Sequence, residues 1–190
     1  MVRDAITINN RMLKYLKVPR NSQTMEIISL LLEESLKLVD IKKWHRCVPV
    51  DEFYKLFHPY ARQSKSISKL LTRTEKVWLI AVSLGEDLEF RSREYFKSNE
   101  VFRGYILDRL GSFLVEEEVK KIDTGISREC QKDGCPTTHR YSPGYGDFSI
   151  KAQQIFFNLI KDSIPELKIS SGCLLSPEKT VTALRGTNRV

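Results

Sequence analysis

The sequence predicts a single α+β domain, with a twisted, mostly antiparallel sheet flanked by helices, and three observations point there. Apolar residues recur at helical spacing in several stretches. The continuous apolar run VWLIAV at residues 77–82 has the length and composition of a strand buried on both faces. Two strand-like stretches meet at Ser176-Pro177-Glu178-Lys179, where proline at the second position of a type I turn predicts a terminal hairpin. A chain of 190 residues is long enough for one domain with its own core, and 41% hydrophobic with 29% charged residues is the balance of an ordinary globular protein.

Each element follows from local chemistry. Residues 5–17 carry Ala5, Ile8, Met12 and Leu16 near helical spacing, until Pro19 and Asn21 break the pattern. A second helix runs from about residue 25 to 39, where Ile27, Ile28, Leu31, Leu32, Leu36 and Val39 form a wide apolar face behind a cap from Ser22 or Thr24. The segment RCVPVDEFYKLF mixes β-branched and aromatic residues around Pro49 and reads as a strand or edge segment near a turn. A short helix with Ile67, Leu70 and Leu71 leads into the buried strand, which Gly85 closes. Phe102, Ile106, Leu110, Phe113 and Leu114 define the longest helix over residues 99–122. Residues 123–139, rich in Gly, Thr, Asp and Cys without periodicity, read as a loop. A last helix covers residues 148–161, capped by Asp147 or Ser149 and ended by Pro165.

Composition narrows the function classes. No apolar run is long enough to span a bilayer and the N-terminus lacks the apolar core of a signal peptide, so the cytoplasm is the expected compartment and no membrane partner is expected. Cys47, Cys130, Cys135 and Cys173 are too sparse for a disulfide scaffold and are read as reduced thiols. The net charge of +7 is spread among acidic residues without a basic run or an aromatic-interleaved motif, which argues against nucleic acid. A basic face that steers an acidic protein explains the same charge. No nucleophile elbow and no phosphate loop occurs, so no catalytic residue is assigned. CQKDGCPTTH offers Cys130, Cys135 and His139 as a metal alternative, with Cys173 or Cys47 as a fourth ligand, but its spacing is not that of a zinc knuckle and no metal site is assigned.

The informative stretch is HRYSPGYGDFS, residues 139–149. Arg140 presents a fork of donors suited to a carboxylate or phosphate, just ahead of a helix N-terminus. Gly144 and Gly146 let the backbone approach a ligand, and Tyr141 and Tyr145 offer ring faces to a flat base or a sulfonium. Together these groups suit an amino acid joined to a nucleoside. The competing reading is a tight turn capping a helix, with Arg140 in a surface ion pair and the tyrosines packed on the core. Within the acidic run at 116–118, Glu116 is either part of a solvated face or the partner of a ligand amine.

RYSPGYGD followed by a helix, and then LLSPEKTVTALRG, resembles the reactivation domain of cobalamin-dependent methionine synthase, which carries Arg-x-x-Pro-Gly-Tyr and a later Pro-x-x-Ser/Thr-Val-Ser/Thr. VWLIAVSLGEDLE and ILDRLGSFLVEEEV look like that family's strand-turn segment and long helix. The resemblance implies an activation-domain-like fold that binds S-adenosylmethionine and supports reductive remethylation of cob(II)alamin. Carried over, Arg140 holds the ligand carboxylate, Ser142 and Gly144 make backbone contacts, Tyr145 contributes its ring, and Glu116 substitutes for the family's acidic contact, which aligns with Ser112. The chain has no Asp-x-His-x-x-Gly motif, so the cobalamin is expected on a partner, a cobalamin-dependent methionine synthase lacking its own reactivation domain. An electron-donor flavoprotein or ferredoxin completes the implied system. The alternative is a corrinoid-protein docking or regulatory module that does not bind S-adenosylmethionine.

Overall fold

The computed structural model describes residues 7–132 and 134–188. In chain order the elements are α1 (Asn10–Leu16), α2 (Ser22–Leu38), β1 (Lys42–Pro49), α3 (Val50–Leu56), α4 (Tyr60–Gln63), α5 (Lys65–Leu70), β2 (Thr74–Ser83), α6 (Asp87–Lys97), α7 (Val101–Lys132), a 3₁₀ turn (Ile150–Ala152), α8 (Gln153–Ile160), β3 (Lys168–Ile169), β4 (Leu175–Ser176) and β5 (Thr180–Asn188). The fold is α+β, as expected, with antiparallel strand pairing throughout. No helix among the described residues is long and apolar enough to cross a membrane. The chain divides into two compact units, Met1–Asp40 with Glu86–Leu114, and Ile41–Gly85 with Val115–Val190.

The first unit is helical. Asn9 and Asn21 cap α1 and α2, their side chains accepting from the amides of Met12 and Thr24 at 2.9 and 2.8 Å. The cap of α2 is therefore Asn21 rather than Ser22 or Thr24, because the asparagine stands in extended backbone just ahead of the first turn. Of the expected first helix, Ala5 lies outside the described residues. Helix α6, unmarked in the sequence reading, is held by Arg91, which donates to Glu34 at 2.6 Å and to Glu94 at 3.0 Å with its guanidinium 4.4 Å from the Tyr95 ring centroid. Arg109 lies 4.2 Å from the Tyr15 ring centroid and donates to the Tyr15 carbonyl at 2.7 Å.

The second unit is built on the sheet β1-β2-β5. The central strand β2 contains the apolar run, with Leu79 to Ser83 buried, as a strand covered on both faces requires. Its Ile80 stands opposite His45 on β1 and Ala183 on β5. Phe53 and Phe57 of the α3 region stack at 4.8 Å between centroids, and Phe156 of α8 meets Phe57 edge-on at 5.0 Å. With Phe148, Val77, Leu79 and Leu184 they form a buried cluster.

Three expectations are corrected here. The segment around Pro49 is edge strand only as far as Pro49; Val50–Leu56 is helical, since acidic Asp51 and Glu52 occupy its first turn and Phe53 turns inward. The long helix does not end at 122 but continues to Lys132, anchored by buried Ile126 and by Asp123, which pairs with Arg185 at 2.6 Å. The terminal hairpin is β3–β4, turning at residues 170–173, whereas the stretch at 176–179 passes the chain from one sheet to the other.

Truncating the aromatic cluster tests the packing. Phe57→Ala removes a fully buried ring with three aromatic partners, Phe53, Phe148 and Phe156, and urea unfolding should show about 3–5 kcal/mol of lost stability. A loss below 1 kcal/mol would contradict the packing.

Candidate functional site

A pocket of about 500 Å³ opens in the second unit, lined by Glu116 of α7, residues 140–143 and Tyr145, Ile150 and Gln153, the hairpin residues Cys173–Leu175, and Glu178 and Thr180–Thr182. The two motifs, residues 140–147 and 174–186, face each other across it.

Backbone pairing sets the wall. Residues 136–141 run along the free edge of β5: the amides of Thr138 and Tyr141 donate to the carbonyls of Gly186 and Leu184 at 2.9 Å, and Leu184 N–H returns a bond to Tyr141 at 2.7 Å. Successive side chains in such an extended segment point to opposite sides. Tyr141 packs against the aromatic cluster, and Arg140 reaches Glu116, its Nη2 donating to Oε2 at 2.8 Å. The Arg140 side chain is 28% exposed and that of Glu116 is 41% exposed. Arg140 Nη1 is buried with no hydrogen-bond partner among the described residues. A buried donor left in that state costs about 1–3 kcal/mol, more when charged.

The loop after Tyr141 is tied twice. Tyr145 and Phe148 amides donate to Ser142 and Tyr145 carbonyls at 3.2 and 2.9 Å, and Gly144 N–H donates to Phe148 O at 2.8 Å. Gly146 adopts φ +52°, and a Cβ there would collide with the Tyr141 hydroxyl oxygen, so glycine is required. Asp147 does not cap the helical stretch that follows it; Ser149 caps the 3₁₀ turn that leads into α8, accepting from Lys151 N–H at 3.3 Å. Its carboxylate instead crosses to the start of α5, accepting from Ser64 Oγ and Lys65 N–H at 2.7 Å and from Ser66 N–H at 3.2 Å. Those donors, the Ser64 hydroxyl first, hold the Asp147 carboxyl well below the usual carboxylate range.

Glu116, Arg140, Ser142 and Tyr145 thus line one pocket. Gly144, at φ +88°, is outside the lining and has its amide committed within the loop. Ser112 uses its hydroxyl on the Asp108 carbonyl at 3.2 Å. Tyr145 is 66% exposed, which places its ring at the rim rather than in the core. The surface ion pair of the competing reading is present, but both its members are pocket walls. The sequence reading missed Gln153, whose Oε1 accepts from Thr182 Oγ1 at 2.9 Å, and the Cys173–Leu175 wall. It also assigned no role to Glu178, Thr180 and Thr182, although the second motif contains them. Two residues beyond Glu116 on the same helix, Glu118 is buried; burial opposes its ionisation, but hydrogen bonds from Lys121 and Lys43 outweigh it and keep the carboxyl below its ordinary range. Among the described residues no three His, Cys, Asp or Glu side chains converge to hold a metal ion, so Cys130, Cys135 and His139 do not assemble a metal site.

No protein-family model and no curated protein matches the chain. Among solved structures, a crystal structure of the MetH reactivation domain bound to AdoHcy is similar, with a TM-score of 0.57 over 97% of this chain and 70% of that chain at 11% identity. The likeness establishes the fold.

The Asp147 anchor makes the loop pH-sensitive. A carboxyl depressed in the folded state contributes stability above its unfolded value of about 3.9 and loses that contribution as pH falls below it. Asp147→Asn should therefore lower the melting temperature at pH 7, and the difference from the wild type should shrink steadily as pH falls from about 4 towards 2; a difference unchanged across that range would refute the anchor.

Proposed function

We propose that the pocket binds S-adenosylmethionine and that this protein is a stand-alone subunit supporting reductive remethylation of cob(II)alamin in a separate cobalamin-dependent methionine synthase. The observation that carries the reading is the unsatisfied, buried Nη1 of Arg140 beside Glu116. A cation and an anion 2.8 Å apart are the complement of an α-amino acid, whose carboxylate suits Arg140 and whose ammonium suits Glu116. An ion pair as exposed as this one contributes about 0.2–1 kcal/mol. Opening it costs less than the roughly 1.5–3 kcal/mol of one hydrogen bond to a charged group.

The remaining walls fit a nucleoside. Tyr145 offers an exposed ring for stacking, Thr180, Thr182 and Glu178 offer hydroxyl and carboxylate partners for a sugar, and about 500 Å³ is within the range of roughly 300–1,000 Å³ for small-molecule sites. AdoHcy, bound by the structural neighbour, has the same amino-acid and nucleoside ends as S-adenosylmethionine.

When bound, S-adenosylmethionine supplies a methyl group to the cobalt of a corrinoid carried by the partner. This chain's residues bind and orient: Arg140 and Glu116 fix the amino-acid end, and the loop at residues 142–147 limits access of water. The partner is a methionine synthase without its own reactivation domain, the electron comes from a flavoprotein or ferredoxin, and the compartment is the cytoplasm. The charge of +7 favours encounter with an acidic donor.

Calorimetric titration with S-adenosylmethionine, with and without the cobalamin enzyme, should show saturable binding that Arg140→Ala and Glu116→Gln each weaken roughly 10- to 100-fold, the loss of one charge-assisted bond. No binding even with the partner present would sink this reading and leave a corrinoid-protein docking or regulatory module.

A further inference from the structure

The C-terminal end of α7 brings two thiols into register. Cys135 N–H donates to the Cys130 carbonyl at 2.9 Å and Gly134 N–H donates to the Gln131 carbonyl at 3.1 Å, with Gly134 at φ +69°. This pair of bonds, one spanning six residues around one spanning four, with a left-handed glycine, is the Schellman ending of a helix. A contact between the side chain of the residue after the glycine and that of a residue five or six positions earlier frequently accompanies this ending. Here both residues are cysteines.

The backbone bond also bounds their separation. With nitrogen and oxygen 2.9 Å apart and standard bond lengths, the two Cα atoms stand at most about 6.8 Å apart. A disulfide spans roughly 4.4–6.8 Å between Cα atoms. Both residues are thiols and both are half-buried, within reach of a small reagent.

We propose that Cys130 and Cys135 are a modification site, an intramolecular disulfide that forms and reopens with the thiol–disulfide balance around the protein. The oxidant is a low-molecular-weight disulfide such as glutathione disulfide. One cysteine, as thiolate, attacks it, breaks its S–S bond and releases one small thiol; the second cysteine attacks the mixed disulfide and releases the other. The two cysteines are oxidised, the small disulfide is reduced to two thiols, and the protons lost by the cysteines balance those gained by the released thiolates.

The bond ties the helix that carries Glu116 to the start of the segment that carries Arg140. Cys135 directly precedes Pro136, whose carbonyl accepts from Asn188 N–H at 2.8 Å, the first rung on β5. Cys47 is the competing partner, because its thiol interacts electrostatically with Cys130. Burial pushes the Cys47 thiol up against the opposing effect of Lys76, which lowers its thiolate fraction and its rate of attack.

The test is thiol counting and peptide mapping of the wild-type protein equilibrated in glutathione buffers from reducing to oxidising. Titratable thiols should fall from four to two, mapping should join Cys130 to Cys135, and dithiothreitol should restore all of them. Cys47→Ser and Cys173→Ser should keep the cross-link, whereas Cys130→Ser and Cys135→Ser should abolish it. Four persisting thiols, a Cys47–Cys130 cross-link or stable glutathione adducts alone would overturn the proposal, and because the mapping uses the wild type, none of these outcomes depends on a variant folding. Amide exchange over residues 134–141 should slow in the oxidised form; unchanged exchange would refute the tie to the Arg140 segment. Neither measurement involves S-adenosylmethionine, so failure here and failure of the ligand reading are separate results.

Discussion

The pocket depends on how the free edge of β5 is closed. An exposed strand edge offers a row of unpaired amides and carbonyls, and here residues 136–141 take up that row through bonds at Pro136, Thr138 and Tyr141. Because the pairing fixes the register of an extended segment, it also fixes which side each residue faces. Tyr141 is sent to the aromatic cluster and Arg140 towards Glu116. A slip of one residue would exchange the two and bury a guanidinium among phenyl rings.

The interactions around this edge are graded in strength. The cluster of Phe53, Phe57, Phe148 and Phe156 is fully buried and forms the rigid floor. Above it, Asp147 pins the loop to α5 through hydroxyl and amide donors. At the top, the Arg140–Glu116 pair is half-exposed and weakly held, so the groups best placed to meet a charged ligand are also those that exchange partners at least cost. A site of this kind is preorganised in its backbone and adaptable in its charges.

Arg185 joins the parts from the other face of the strand register. It pairs with Asp123 at 2.6 Å and donates to Thr137 Oγ1 at 2.6 Å, and it is only 12% exposed. One side chain of β5 therefore holds both the late turns of α7 and the segment that follows them. This explains why the helix persists through Gly125 and Ser127, residues of modest helix propensity: a half-buried ion pair and the inward Ile126 offset what propensity alone would lose.

The elements with a strong period were legible without coordinates: the apolar face of α2, the apolar run of β2 and the first turns of α7 follow from side-chain spacing, a local property. The motif around Arg140 was legible as a candidate for the same reason, since its residue types carry their chemistry with them. What local pattern could not decide was partnership. Asp147 has the sequence of a cap for the helix that follows it, yet it caps α5, some eighty residues earlier in the chain. Leu175 and Ser176 look like half of a hairpin with β5 but pair with β3. The 123–139 stretch lacks periodicity, and its helical part is held by an arginine sixty residues downstream. By itself the sequence determined which segments repeat with helix or strand period and which side chains have the chemistry to bind; only the tertiary structure decided which charges meet, because hydrogen bonds and ion pairs act between groups that folding, not chain order, makes neighbours.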